Sequence, residues 1–330
     1  MKTCKRLLNW VQLINAEGDV RVCCWSKNNI IGNLQREDLL SILNGEKAKA
    51  LRRLVAEGDF SNCPRDNCPF QANGILDEVL VEYDEEKLIY PEELYLAYEG
   101  KCNYRCTCCT SYKHMLDAKK NDYSEMYKKL EANIKDILPH VKHLSANGRG
   151  EVFASPHIMK LLSEWSPDPM PGEVSASLET NGSLFNERNW RKIENLGHYN
   201  LSVYVTVMSF DENTYQFLSG TKLPIKNIEE NLMYIKKLRN EEIINQLEIA
   251  TVMQELNFRE MPEFTKRCIE EFGADTVRIR PIFRGGGIEP DVFRFMDIRS
   301  PQHPYYSLYK KIMSDPIFKD DHVLLWSGAC

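Results

Sequence analysis

Residues 93–112 read ELYLAYEGKCNYRCTCCTSY and contain a strand-like segment followed by a cysteine-rich loop. The first six residues are rich in β-favouring side chains, which predicts a strand over Glu93–Tyr98. Four cysteines follow within eight positions, and Cys102, Cys106 and Cys109 have the spacing C-x3-C-x2-C. In barrels of parallel strands, the loops after the strands build the functional site. We therefore expect this cysteine loop to carry the chemistry of the protein.

Three thiolates on one short loop can hold three irons of a [4Fe-4S] cubane and leave the fourth iron without a protein ligand. An iron of this kind is open to another ligand. A zinc site is the alternative, since three close cysteines and a fourth from elsewhere satisfy tetrahedral zinc. The remaining cysteine of the loop, Cys108, is interpreted as a small filler, with two alternatives: an effect on chemistry near the cluster, or replacement of Cys109 as ligand.

From about residue 90, short β-rich segments alternate with longer amphipathic ones, as expected of β/α units around a parallel sheet. This order predicts an α/β fold, a partial (β/α)6 TIM-like barrel with its helices outside. Helices are expected over 123–137, 227–240 and 257–272, the last with Asn257 as its N-cap. The predicted strands are Glu93–Tyr98, Val141–Ala146, Val174–Glu179, Leu201–Met208, Leu247–Met253 and Thr276–Ile282.

The first 75 residues have a different pattern, with a hairpin that turns at Glu17-Gly18-Asp19, a helix at 37–56 and a closing cysteine turn. The chain is therefore expected to contain a small Fe–S cluster module before the barrel. The expected boundaries are a module at 1–75, an acidic linker at 76–91, the barrel at 92–287, and an extension at 288–330 that packs on the barrel with a helix near 304–314 and a last strand.

The composition and charge of the chain argue against several kinds of partner and location. The 330 residues carry a net charge of −6, without a long basic run, which argues against a nucleic-acid partner or an anionic membrane surface. Polar residues interrupt the N-terminal segment before it reaches signal-peptide length, and no apolar run is long enough to span a membrane. We expect a cytoplasmic protein, in which eleven cysteines indicate metal binding more than disulfides.

A second group of cysteines precedes the barrel. Four thiolates are enough to ligate a whole cluster. Cys24 is preferred to its neighbour Cys23 as one of the four, and a small structural zinc site is the alternative. The expected ligands are Cys4, Cys24, Cys63 and Cys68, with Cys23 as the alternative to Cys24.

Each later strand ends in a motif of its own. After the second strand come Gly148, Arg149, Gly150 and Glu151, where glycines allow close backbone approach to a ligand. The third strand ends in LETNG and the fourth in MSFD, in which Asp211 is interpreted as the N-cap of the next helix. On the sixth strand, alternation places Arg278 and Arg280 on one face, and an inward arginine needs an anionic partner.

The cysteine spacing, the GRGE loop, the TNG and S-x-D motifs and their order resemble the radical SAM superfamily over nearly the whole chain. The resemblance implies that Cys102, Cys106 and Cys109 hold a [4Fe-4S] cluster whose open iron binds S-adenosylmethionine (SAM). The position before the third cysteine is commonly aromatic in the family, whereas here it is Cys108. The SAM contacts that the resemblance and the inward arginine suggest are Gly148, Arg149, Gly150, Glu151, Thr180, Asn181, Ser209 and Arg280.

The N-terminal segment resembles the auxiliary-cluster module called SPASM or, in its half-length form, Twitch. Gly18-Asp19-Val20 and Ile31-Gly32-Asn33-Leu34 match that motif. Most relatives carry the module after the barrel, so the order here looks permuted. The resemblance implies an auxiliary [4Fe-4S] cluster that, if fully ligated, transfers electrons, docks a reductase or stiffens the module.

The resemblance also implies the reaction: reductive cleavage of SAM to a 5′-deoxyadenosyl radical that abstracts hydrogen from a substrate. SPASM-type relatives most often crosslink, epimerise or oxidise peptides, so a ribosomally made peptide is the expected substrate. Chemistry on a sugar, nucleoside or other small metabolite is the alternative, and a non-catalytic Fe–S carrier or zinc protein is an alternative of another class. A flavodoxin- or ferredoxin-type reductant is the expected partner. Cys108, Cys268 and Cys330 are candidate hydrogen-donating thiols.

Overall fold

A computed structural model of the chain places a parallel sheet with a hairpin on one edge. Its helices cover one face of that sheet. The structure describes residues 1–26, 29–65, 68–111, 116, 121–146, 149–284 and 288–325.

Six parallel strands follow one another in chain order and form the barrel wall. Each lies within two residues of its predicted bounds, so the predicted partial (β/α)6 barrel is confirmed. The strands are β6 (Glu93–Leu96), β7 (His143–Ala146), β8 (Ser175–Thr180), β9 (Asn200–Thr206), β10 (Gln246–Met253) and β11 (Thr276–Pro281).

The sheet continues beyond these strands at both edges. At one edge the last strand, β12 (Val323–Leu325), pairs in parallel with β11. At the other, β2 (Trp10–Leu13) pairs in parallel with β6, and β3 (Asp19–Arg21) and β4 (Ile30–Asn33) follow as antiparallel neighbours. Gly18 takes a φ of +88° in the predicted turn between β2 and β3. The N-terminal hairpin thus extends the barrel sheet.

Alternation along the strands separates an apolar face from a polar one. On β9, Leu201, Val203 and Val205 are fully buried in the core, whereas Tyr204 and Thr206 line the inside of the barrel. The same alternation holds on the other strands, because one face packs against the helices while the other encloses a cavity. The barrel interior is therefore largely polar.

The helices follow the predicted order, with some different bounds. The helix expected over 37–56 is interrupted at Gly45, whose extended backbone ends one helix and begins the next. One short helix in the C-terminal extension was not predicted, Pro290–Met296. The α-helices of at least six residues in the described chain are Leu39–Asn44, Glu46–Ala56, Ser124–Ile134, Pro156–Glu164, Glu212–Ser219, Ile225–Asn240, Met261–Glu270, Pro290–Met296 and Tyr306–Ile312.

The segment expected to be a linker is partly structured. Strand β5 (Leu80–Glu82) pairs antiparallel with β1 (Lys2–Cys4) in a separate two-stranded sheet. Arg52, only 1% exposed, donates to the carbonyls of Leu7 and Leu43 and holds this part together. The N-terminal residues therefore contact both the helix that contains Arg52 and strand β5, which precedes the barrel. Among the described residues, no helix is long and apolar enough to cross a membrane.

The sequence predicts Asn257 as a helix N-cap, but in the structure its side chain makes no capping hydrogen bond. The turn after it is a 3-10 turn, and the helix proper begins at Met261. The fully buried Asn257 amide donates to the carbonyls of Met208 and Val252, and its oxygen accepts from the Gln254 amide. Asn257 therefore joins the ends of β9 and β10 below the predicted functional loops.

Replacing Asn257 with Ala should destabilise the fold by about 2–3 kcal/mol, because buried carbonyl and amide groups lose their partners. Thermal or urea unfolding of the variant measures this loss. Asn240→Ala is the control, since Asn240 is exposed at the end of its helix. Equal stability of the two variants would contradict the role given to Asn257.

Candidate functional site

A cavity of about 590 Å3 opens at the carboxyl ends of the barrel strands. Every strand from β6 to β11 contributes lining residues at its end or in the loop after it. The cavity brings together several residues that the sequence analysis had singled out. These are Cys102, Cys106, Cys108, Cys109, Arg149, Gly150, Thr180, Asn181 and Arg280.

The cysteine loop is fastened to the end of the helix Glu212–Ser219. The Arg105 amide donates to the Ser219 carbonyl at 3.0 Å, and the Thr107 amide donates to the Leu218 carbonyl at 2.9 Å. Gly220, with a φ of +58°, permits this contact, because a Cβ there would lie 2.2 Å from the Arg105 carbonyl oxygen. The loop therefore owes its shape to a neighbouring helix end.

The thiols of this loop lie close enough to interact electrostatically. Burial raises the pKa of Cys106 well above its usual value, and the neighbouring thiols Cys108, Cys102 and Cys109 raise it further. The Tyr104 amide donates to the Cys102 sulfur at 3.4 Å, as amides do to cluster thiolates. A soft cationic centre would relieve the repulsion among deprotonated thiols, so this donor set fits an iron–sulfur cluster.

Cys108 lies at the edge of the cavity in a small apolar cluster with Met208, Leu218 and Ile282. It is 8% exposed, and burial raises its pKa to about 11. This packing favours the interpretation of Cys108 as a filler. Cys268 is fully buried in the main core on the helix Met261–Glu270 and does not line the cavity. Cys330 lies outside the described residues.

The loop after β7 comes very near the cysteine loop. The Glu151 amide donates to the Lys101 carbonyl at 2.8 Å. A Cβ on Gly150 would lie 2.2 Å from that carbonyl oxygen, so only glycine fits without displacement. Arg149 lines the cavity beside it, and burial lowers its pKa. Gly148, expected to contact SAM, lies outside the described residues.

Glu151 does not line the cavity, although the sequence suggested a SAM contact. Its side chain is 1% exposed and accepts hydrogen bonds from the Thr180 hydroxyl at 2.6 Å and the Asn181 amide at 2.7 Å. Burial raises the pKa of this carboxyl, and these hydrogen bonds oppose the rise. Glu151 therefore positions the TNG turn, and Thr180 and Asn181 are the groups that reach the cavity.

The TNG turn is linked to the cysteine loop through side chains. The Asn181 amide group donates to Asn103 at 2.9 Å, and Asn103 donates to the Ser183 hydroxyl at 2.8 Å. Ser183 in turn donates to the Asn181 side-chain oxygen. This ring of three residues connects the loops after β6 and β8.

Ser209, expected to contact SAM, does not line the cavity. It is fully buried, and its hydroxyl accepts a hydrogen bond from the Asp211 amide at 2.9 Å. Asp211 accepts a hydrogen bond from the Thr214 amide at 2.9 Å, which confirms it as the N-cap of the helix Glu212–Ser219. The S-x-D motif thus shapes the helix start, and through that helix it supports the cysteine loop.

The two inward arginines of β11 have different partners. Arg278 makes two hydrogen bonds of 2.6 Å to the buried carboxylate of Glu248, so an acidic residue of the barrel itself is its partner. Arg280 lines the cavity and makes a single 3.3 Å hydrogen bond to Thr206, while its buried Nε has no partner among the described residues. Arg280 is therefore available to a ligand.

Glu179 is a cavity residue that the sequence analysis missed. It belongs to β8 and precedes Thr180 directly, so the strand alternation was the signal that would have placed it inside the barrel. Its side chain is open to the water of the cavity and yet surrounded by protein, which raises the pKa of the carboxyl.

In the N-terminal module, Cys23, the expected alternative to Cys24, lies near other expected ligands. Burial raises the pKa of Cys63 to about 12, and the nearby Cys23, Cys68 and Cys4 thiols add to the rise. Cys23 also adopts a φ of +58°, an uncommon value for a non-glycine residue. Cys4 and Cys63 lie near each other, and each lies near both Cys23 and Cys68.

Cys24 has a contact with Arg6. The Cys24 sulfur accepts a 4.0 Å hydrogen bond from this guanidinium group. The group itself lies over the rings of Trp10 and Trp25, at 4.9 and 4.4 Å from their centroids. Among the described residues, no three His, Cys, Asp or Glu side chains are arranged to hold a single metal ion.

Gly150→Ala should destabilise the protein by roughly 1–3 kcal/mol, because a methyl group would overlap the Lys101 carbonyl oxygen and force the two loops apart. Thermal unfolding measures the loss, and limited proteolysis reports loosening of the cysteine loop. Gly172→Ala is the matched control, since no atom lies within 4 Å of a Cβ there. An unchanged stability of Gly150→Ala would contradict the close contact.

Comparisons with known proteins agree with this arrangement. A sequence model of the radical SAM superfamily matches residues 100–268, just over half of the chain. The SPASM iron–sulfur cluster-binding domain matches residues 4–69. No curated protein matches the chain.

Several solved structures are similar in fold. Streptococcus suis SuiB bound to S-adenosylmethionine is 15% identical, with 97% of this chain and 72% of that chain covered and a TM-score of 0.49. SuiB bound to the precursor peptide SuiA is 14% identical, with coverage of 99% and 73% and a TM-score of 0.47. TYW1 with a lysine-pyruvate adduct is 16% identical, with coverage of 65% and 70% and a TM-score of 0.42. At such identities the similarity does not extend to the substrate.

The two domain matches account for the two thiol sets, one in each domain. The domains bring with them SAM, a SAM-binding [4Fe-4S] cluster and an auxiliary [4Fe-4S] cluster. The chain belongs to the radical SAM superfamily and is a radical SAM enzyme with a SPASM domain ahead of its radical SAM domain.

Proposed function

We propose that this radical SAM enzyme abstracts hydrogen from a residue of a ribosomally made peptide, and thereby crosslinks, epimerises or oxidises it. The observation that carries the proposal is that the thiol-lined cavity lies next to a polar barrel interior. The chain also has a SPASM domain. When bound, SAM and its cluster supply a 5′-deoxyadenosyl radical that can attack an unactivated carbon. The residues of this chain supply binding, orientation and exclusion of water.

Cys102, Cys106 and Cys109 are proposed as the cluster ligands of the barrel. Their loop is held on three sides, by the end of the helix Glu212–Ser219, by the loop after β7, and by the Asn103–Asn181 contact. Cys108 is left out of the ligand set because it packs in an apolar cluster. A loop fixed in this way holds its thiols in place before the cluster binds.

For SAM, the proposed contacts are the expected residues that line the same cavity: Arg149, Gly150, Thr180, Asn181 and Arg280. Arg280 is proposed to bind the SAM carboxylate, because its guanidinium group has unused donors and lowers the pKa of the nearby Cys108. Glu151 acts indirectly, by fixing Thr180 and Asn181.

For the auxiliary cluster, the proposed ligands are Cys4, Cys23, Cys63 and Cys68. Four protein thiolates leave no open iron, so this cluster is proposed to transfer electrons and not to bind substrate. A flavodoxin- or ferredoxin-type protein is proposed as the reductant, which implies a cytoplasmic site of action. Arg6, beside Cys23 and Cys24, places a positive charge near the ligand set.

Anaerobic reconstitution with iron and sulfide should load about eight irons per chain, four for each [4Fe-4S] cluster. Dithionite and SAM should then yield 5′-deoxyadenosine with the wild type and none with C102A/C106A/C109A, which should keep about four irons. Cys108→Ala is the matched control and should retain both iron and SAM cleavage. Deoxyadenosine from the triple variant, or its absence from fully loaded wild type tested with candidate peptides, would contradict the assignment.

The variants Cys23→Ala and Cys24→Ala should show which of these two adjacent cysteines is a ligand of the auxiliary cluster. The Cys23 variant should lose most of the auxiliary cluster, about four irons, because it removes one of four converging thiols. The Cys24 variant should keep it. Iron analysis and electron paramagnetic resonance of the reduced proteins measure both. The reverse pattern would return Cys24 to the ligand set.

A further inference from the structure

The barrel interior contains a second, smaller cavity of about 250 Å3 beneath the thiol-lined one. Glu179, Thr206 and Arg280 line both cavities, so the two lie next to each other. The smaller one lies below the usual range of roughly 300–1,000 Å3 for ligand pockets, and therefore suits one side chain of a larger ligand. It is additionally lined by Tyr204, Glu248, Ala250 and Arg278.

Four charged groups face this cavity, and one pair is internally satisfied. Arg278 and Glu248 form a two-point ion pair with both distances at 2.6 Å. Glu248 is 4% exposed, so the pair is a fixed part of the wall. A paired guanidinium and carboxylate in this geometry have little left to offer a ligand. Glu179 and Arg280 are therefore the charged groups of this cavity that remain available to bind a ligand.

Glu179 and Arg280 do not neutralise each other directly. Their charged atoms do not form an ion pair within 4 Å, and Glu179 makes no hydrogen bond to another described residue. Arg280 lines the thiol-lined cavity together with Cys106 and Cys108, which places its charge toward the cysteine loop. Thiolates and the SAM carboxylate are the anions expected at that end. Glu179 is left without an ion-pair partner within 4 Å among the described residues, although the Arg280 and Arg278 charges act on it from further away.

An enclosed carboxylate is costly unless a cation or several donors reach it. Burial raises the pKa of Glu179, the Arg280 and Arg278 charges lower it, and Glu248 raises it. In the absence of a ligand, the water of the cavity can solvate this group. A cation entering the small cavity would replace that water and favour the ionised carboxylate.

We propose that Glu179 is a substrate-recognition residue that accepts hydrogen bonds from the ammonium or guanidinium group of a basic residue in the peptide. This inference rests on the proposed function, since it names the residue class that enters the barrel. A basic side chain reaching Glu179 passes Thr206 and Arg280, which line both cavities. Its carbon atoms are thereby held between the thiol-lined mouth and the barrel floor.

The test uses reconstituted protein with SAM bound and no reductant, so that SAM stays intact. Peptides N-acetyl-Gly-X-Gly-amide are titrated under anaerobic conditions, with X as Lys, norleucine, Arg or citrulline. Saturation-transfer NMR gives the affinity of each. Lys should bind roughly tenfold or more tightly than norleucine, and Arg than citrulline, as expected for one charge-assisted hydrogen bond in a partly enclosed site.

Glu179→Gln should reduce this preference to about twofold or less, while its affinity for SAM, measured by equilibrium dialysis, stays unchanged. The matched control is Glu230→Gln, which removes a carboxylate from an exposed helix surface and should keep the full preference. Thermal unfolding of both variants checks that each is folded.

Three results would overturn the inference. Equal binding of Lys and norleucine by the wild type would show that no cation site exists. A preference that survives in Glu179→Gln would place the site elsewhere. A loss of SAM affinity in Glu179→Gln without an effect on the peptides would assign the carboxylate to SAM. Failure of the proposed function would be seen in a separate measurement. Wild type would then make no 5′-deoxyadenosine, whereas peptide binding is measured without turnover.

Discussion

The cysteine loop depends on its neighbours, because it forms few hydrogen bonds within itself. Its amides at Arg105 and Thr107 donate to the end of one helix, and its carbonyl at Lys101 accepts from Glu151. A loop of this kind is ordered only while those partners hold their own positions. The positions of the thiols therefore depend on three other features: the Asp211 N-cap, the close contact at Gly150 and the Glu151 carboxylate. None of these residues needs to contact iron.

The N-terminal position of the SPASM domain has a simple structural basis. Strand β2 pairs in parallel with β6, the strand that leads into the cysteine loop, so the module is built onto the first edge of the barrel sheet. The C-terminal strand β12 occupies the other edge. A module that precedes the barrel in sequence can thus pair with its first strand through backbone hydrogen bonds, and the Asn9 side chain adds a 2.7 Å hydrogen bond to Glu92.

Patterns that are local in sequence predicted much of this molecule. The six strands, the C-x3-C-x2-C loop and the Asp211 cap follow from alternation, spacing and side-chain type. The errors arose where the direction of a side chain decides its role. Cys23 and Cys24 are adjacent, and it is Cys23, with its left-handed backbone, that lies near Cys4 and Cys63. Ser209 and Glu151 have the right positions in their motifs, but their side chains turn away from the cavity to bond to backbone and to neighbouring loops.

The polar interior of the barrel places a demand on whatever binds there. Helices bury the apolar outer face of the strands, so the fold does not need an apolar interior for stability. The barrel interior is lined by tyrosine, threonine, glutamate and arginine, whereas radical chemistry requires that water and stray hydrogen donors be kept from the reacting carbon. The substrate must therefore fill much of the barrel and satisfy its polar groups. Since Arg278 and Glu248 already satisfy each other, the groups left to select the substrate are those at Glu179 and around it.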